Sequence, residues 1–110
     1  MSLKEIAHAH NWEIYKAEFV NPAVTLENQT DLLYEDMCWV YKQLSPEVNI
    51  AIDVGWYGES FSTNGLFKLY VIKNNDWDNP VFTYPSVNPG QIISMFQGVI
   101  SIIDAVHLTA

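Results

Sequence analysis

Arginine is missing from this chain of 110 residues, and 5 lysines stand against 13 acids, for a formal net charge of −8 at pH 7. Nucleic acid is thereby excluded as an expected ligand, because phosphate binding depends on Lys and Arg displacing counterions. The same sign argument disfavours an anionic membrane surface. Cysteine is nearly absent as well. Cys38 is alone, so no internal disulfide forms, and its apolar setting reads as a small buried hydrophobe. No basic n-region with an apolar h-region opens the chain, and the longest apolar stretch, Ile92 to Val106, is broken by Ser94, Gln97, Ser101 and Asp104. It is shorter than the ~20 residues of a membrane span. A cytoplasmic protein is expected, in which the Asn28-Gln29-Thr30 sequon is a chance match.

What the chain does have is apolar bulk. Hydrophobic residues make up 49% and aromatics 14%, which is enough for one core and too much for disorder, so residues 1–110 are expected to form a single domain. Large aromatic side chains bury area in cores and also anchor interfaces.

Periodicity predicts the elements. Ser2 and Glu5 fit a capping box, and a helical stripe through Leu3, Ile6, Ala7, His10, Ile14 and Ala17 competes with a strand over Trp12–Val20. A short helix followed by a strand is the preferred reading. A second helix is expected from Thr25 or Thr30 to just before Pro46; if Thr30 is the cap, Glu27 lies outside it. From Val48 the period becomes two, with Ile50, Ile52, Val54 and Trp56 on one face and Ala51, Asp53, Gly55 and Tyr57 on the other. Leu66–Lys73 reads as a central strand, and Val81–Tyr84 as a short one limited by Pro85. Asn88 and Pro89 start a closing helix with a broad apolar face through Ile92, Ile93, Phe96, Val99, Ile100 and Ile103. The expected fold is α+β: a mainly antiparallel sheet of three or four strands, helices packed on one face, and the C-terminal helix buried.

Candidate sites follow from these placements. On the expected second helix, Glu27, Asp31 and Glu35 recur every four residues and Trp39 continues the step, opposite Leu26, Leu33, Met37, Val40 and Leu44. A solvated helix face carries such acids too. Only Lys42 offers a nearby counter-charge, however, and an exposed Trp beside unpaired carboxylates has the composition of a binding hot spot. Asp53 and Tyr57, flanked by Lys68 and Tyr70 on the next strand, form a second candidate surface unless a helix covers it. The loop Gly58–Gly65, with Glu59, is a third, and Trp77 between Asp76 and Asp78 is a fourth.

Catalysis and metal binding have less support. Asn74, Asp76 and Asp78 alternate like the start of a calcium loop, but Asn79 stands where glycine is needed and Pro85 where the bidentate glutamate belongs. His8 and His10 have no third ligand at zinc spacing, and no serine sits in a nucleophile elbow. No cofactor or metal is expected. The alternative to a binding protein is a small ligand-binding or enzymatic domain with a pocket between the sheet and the closing helix, lined by Trp56, Phe67 and Phe96.

The run Leu66-Phe67-Lys68-Leu69-Tyr70-Val71-Ile72-Lys73, then Asp76-Trp77-Asp78-Asn79-Pro80 and a closing helix, resembles small immunity proteins of bacterial polymorphic-toxin and contact-dependent inhibition systems. The resemblance implies a cytoplasmic α/β protein that binds a cognate toxin, often a nuclease, and blocks its active site or an essential surface. It carries over no individual binding residue. The expected partner is a basic toxin, met by Glu27, Asp31, Glu35, Asp53, Glu59, Asp76 and Asp78 as charge and by Trp39, Tyr57 and Trp77 as anchors. A homodimer is compatible with the same composition.

Overall fold

The computed structural model describes the backbone of residues 1–109 and the side chains of residues 1–106. Helix α1 (Leu3–Ala9) opens with the expected capping box: Glu5 N donates to Ser2 Oγ at 3.1 Å and Ser2 N to Glu5 Oε1 at 3.0 Å. Asn11 then takes a left-handed φ of 62° and turns the chain into strand β1 (Glu13–Ala17). Short helix followed by strand is therefore the correct reading of this region.

Strands β2 (Cys38–Ser45), β3 (Val48–Gly58), β4 (Gly65–Lys73) and β5 (Phe82–Ser86) follow, all paired antiparallel with their sequence neighbours in the order β1-β2-β3-β4-β5. The sheet thus has five strands, and the reason is a correction. The segment expected to be a long helix up to Pro46 is a 3-10 turn over Leu26–Leu32 and then β2. Trp39-Val40-Tyr41 is strand-forming chemistry, and Cys38 and Val40 point inward while Trp39 and Tyr41 point outward, a period of two. Pairing with β3, from Cys38↔Val54 to Ser45↔Val48 with a register shift between Gln43 and Ser45, overrides the four-residue spacing of the acids. Strand β5 likewise departs from expectation by containing Pro85. It is an edge strand, where a residue without an N–H is tolerated.

One face of the sheet, carrying Val40, Ile52, Val54, Trp56, Phe67, Leu69 and Val71, is sealed by Leu3, Ile6 and Ala7 of α1 and by helix α2 (Pro89–Thr109). Asn88 starts α2 by accepting from Gln91 N at 3.2 Å through Oδ1. Among the described side chains of α2, only Ile92, Phe96 and Ile100, one residue per turn, are fully buried, so the expectation of a buried C-terminal helix is wrong. Ile93, Met95, Val99 and Ile103 beside that stripe are half-buried against the core, whereas Ile102 stays 66% exposed. By length and composition alone, Pro89–Val106 reaches what a membrane crossing needs, with mean hydropathy 1.3.

The polar fastening of α2 is local. Asp104 receives His10 Nδ1 at 2.5 Å and Lys42 Nζ at 3.1 Å, and Lys42 also donates to the His10 carbonyl at 2.8 Å. Three elements meet at that one carboxylate.

Candidate functional site, the helix-free face of the sheet

With both helices on one side, the residues of opposite parity form a second face. Register places Trp39 across from Asp53, Asp53 across from Tyr70, Gly55 across from Lys68 and Tyr57 across from Leu66. A one-residue bulge in β1 between Ile14 and Lys16 turns Tyr15 onto the same side. Its ring stacks on Trp39 at 4.8 Å and meets Tyr41 edge-on at 6.2 Å. Tyr57 and Tyr70 form a second edge-to-face pair at 5.7 Å.

The loop between β4 and β5 completes the aromatic surface. Asn74 and Asn75 adopt positive φ, a hairpin turn that asparagine tolerates, with Asp76 N bonded to the Lys73 carbonyl. The loop then folds back until Trp77 meets Trp39, two strands away, with ring centroids 6.2 Å apart. Trp39 and Trp77 remain 37% and 45% exposed, whereas Trp12 and Trp56 are core. Two of the four tryptophans are therefore presented to the surface on this face.

A glycine places acids beside them. Met37 N bonds the Val54 carbonyl and Trp56 N bonds the Tyr34 carbonyl, so Glu35 and Asp36 bulge out opposite Gly55. A Cβ on Gly55 would lie 1.7 Å from the Glu35 carbonyl oxygen; only glycine lets the chain cross there. Both carboxylates act on Asp53. Burial first, and then the Asp36 carboxylate, raise the Asp53 pKa to about 7 against the lowering effect of a hydrogen bond from Tyr57, with Glu35 adding a smaller push. The Tyr57 hydroxyl is pushed up as well, by burial and by the negative charge of Asp53. The cations on this face are occupied with rings: Lys16 stands over Tyr34 at 4.6 Å and Lys68 over Tyr57 at 5.3 Å. Among the described residues, ion pairs form only at Asp104, so Glu35, Asp36 and Asp53 are left without a salt-bridge partner.

Of the residues singled out in the sequence, Glu35, Trp39, Asp53, Tyr57 and Trp77 come together here, and Asp76 and Asp78 flank Trp77 on its loop. Asp76 accepts from Asn79 Nδ2 at 3.3 Å, an arrangement local to the loop. Glu27 and Asp31 do not share a helix with Glu35; they are exposed on the 3-10 segment. Glu59 lies in the β3–β4 loop, bonded to Asn64 Nδ2 at 3.2 Å, while its carbonyl accepts from Trp56 Nε1 at 3.1 Å. Tyr15, Tyr41 and Asp36 are the residues that sequence reasoning missed. The outward positions Trp39, Tyr41 and Gln43 carried a signal for one of them, once period two is applied to that segment.

Trp56, Phe67 and Phe96, expected to line a pocket between sheet and closing helix, are packed core side chains. Trp56 and Phe67 pack edge-to-face at 4.8 Å, and both are buried with Phe96. Cys38 is equally inert, since burial pushes its thiol up to about 12. The face therefore offers aromatic anchors, three clustered carboxylates and a folded-back loop, a surface suited to docking. No protein-family model, curated protein or solved structure matches this chain.

Proposed function

We propose that the chain is an inhibitory binding protein whose helix-free sheet face docks a basic protein, and that the partner is a cognate toxin of the nuclease type. The observation that carries this reading is the juxtaposition of Trp39 with Asp53 on adjacent strands, an exposed anchor beside a carboxylate that has no cation of its own. Trp and Tyr dominate interface hot spots, and unpaired acids on an acidic protein attract basic surfaces before contact forms. A nuclease must be basic where it holds phosphate, so Glu35 and Asp36 would stand in for phosphates there, joined by Asp53 once a partner cation displaces its proton. The resemblance of the segment from Leu66 onward to small immunity proteins supplies the biological setting, a cytoplasmic one. No catalytic residue is needed.

The test uses the toxin domain encoded beside this chain's own reading frame. Calorimetry is expected to give submicromolar binding that inhibits nuclease activity, and Trp39→Ala is expected to weaken it by at least about 2 kcal/mol. Undiminished binding by Trp39→Ala, or no binding by the wild type, overturns the reading.

A further inference from the structure

On the opposite side of the molecule, helix α2 forms a ridge between two apolar grooves, with Asp104 the one charged residue among its described side chains. One groove, of about 420 Å³, runs between the helix and the β2–β3 hairpin and is lined by Leu44, Val48 and Ile50. The other, of about 330 Å³, lies against Val71, Phe82 and Met95. Ile102 and Ile103 belong to both, and Ile102 crowns the ridge at 66% exposure. We propose that this ridge is the interface of a two-fold homodimer.

Shape is the first argument. A ridge flanked by grooves is self-complementary: about a two-fold axis, Ile102 of each copy enters a groove of the other, as helix ridges pack into grooves. Gly98 sits in the second groove, and nothing lies within 4 Å of where its Cβ would be, so another helix backbone has room to approach closely. Charge is the second argument, and it selects a second copy over other occupants. Each copy carries −8, so two copies repel wherever acids face acids. Helix α2 is the exception. Its one acid among the described residues, Asp104, is turned inward to His10 and Lys42 with 18% of its side chain exposed, and Glu47 lies at the rim, on the β2–β3 turn. Among the described residues of α2, a basic partner finds no fully exposed acid to pair with, and a second copy brings none to repel it there. The dimer leaves the Trp39 face of both copies free and is independent of what that face binds.

The experiment is sedimentation velocity of the full chain from about 1 to 200 µM, alongside co-sedimentation with neutral phosphatidylcholine vesicles. The wild type is expected to pass from monomer to dimer in this range and to stay out of the vesicle pellet. Ile102→Glu, a change at an exposed position, is expected to weaken dimerisation at least about tenfold, with a melting curve unchanged at about 1 µM, where the wild type is monomeric. A wild type that stays monomeric, a dimer indifferent to Ile102→Glu, or binding to vesicles in place of self-association each overturns the proposal.

Discussion

Lys42 on β2 reaches across the core side of the sheet to place its Nζ 3.1 Å from Asp104 Oδ1 on α2, while the same ammonium bonds the carbonyl of His10 at the end of α1. A helix that buries one residue per turn depends on such a fastening. Burial works to raise the Asp104 pKa, but hydrogen bonds from His10 and Lys42 outweigh it and hold the carboxyl below its ordinary value. A depressed carboxylate pKa contributes stability that is present above about pH 4 and lost as pH falls below it. Lys42→Met is therefore expected to cost about 1–2 kcal/mol at pH 7 in urea denaturation, and less at pH 3. An equal cost at both pH values would contradict the assignment.

Gly55→Ala addresses the crossing of Glu35 over β3. The added methyl meets a backbone carbonyl rather than a flexible side chain, so residues 34–37 must lift away and strain their bonds to Val54 and Trp56. A loss of about 3 kcal/mol is expected, near the top of the range for overpacking. A melting temperature within a degree or two of wild type would show that the crossing is not held as described.

Asp53 makes a pH prediction of the opposite sign to Asp104. Its pKa is raised to about 7, so the folded state holds a proton that the unfolded chain releases near pH 4. Stability contributed by the neutral form is full below pH 4 and lost as pH rises through 7. Asp53→Asn keeps the shape and removes the titration. It is expected to be more stable than wild type by about 1–2 kcal/mol at pH 8, a figure reduced for the carboxylate's remaining contact with water, and equal to it at pH 4. Chemical denaturation at the two pH values decides; a variant less stable at pH 8 would refute the prediction.

The paired neutralisation Glu35→Gln, Asp36→Asn tests steering separately from folding. Both side chains are exposed on the bulge, and both push up Asp53. Stopped-flow association with the toxin domain is expected to slow about tenfold at low salt and to approach wild type at high salt, with no loss of thermal stability. A salt-independent change would place the acids outside the docking surface.

The hairpins and the closing helix were legible because local patterns and long-range pairing agree in them: Ile50, Ile52, Val54 and Trp56 alternate in the sequence and are buried together in the sheet. Cys38–Ser45 was not legible. Leu33, Met37, Val40 and Leu44 are spaced as on a helix, and the acids at 27, 31 and 35 reinforce that period, but the segment's partner is β3, which no local window contains. The resulting site is half expected. Trp39, Asp53, Tyr57 and Trp77 were singled out one by one, while their meeting on one face depends on the antiparallel register and on the missing side chain of Gly55. Glu27 and Asp31 belonged to a stripe that exists only if the helix does.

The four tryptophans give the most direct test of the docking face, because two lie on it and two lie in the core. Indole N–H signals of the ¹⁵N-labelled chain would be followed as the toxin domain is added. Trp39 and Trp77 are expected to shift or broaden with binding while Trp12 and Trp56 hold their positions; saturable binding that leaves Trp39 and Trp77 unmoved would contradict the account.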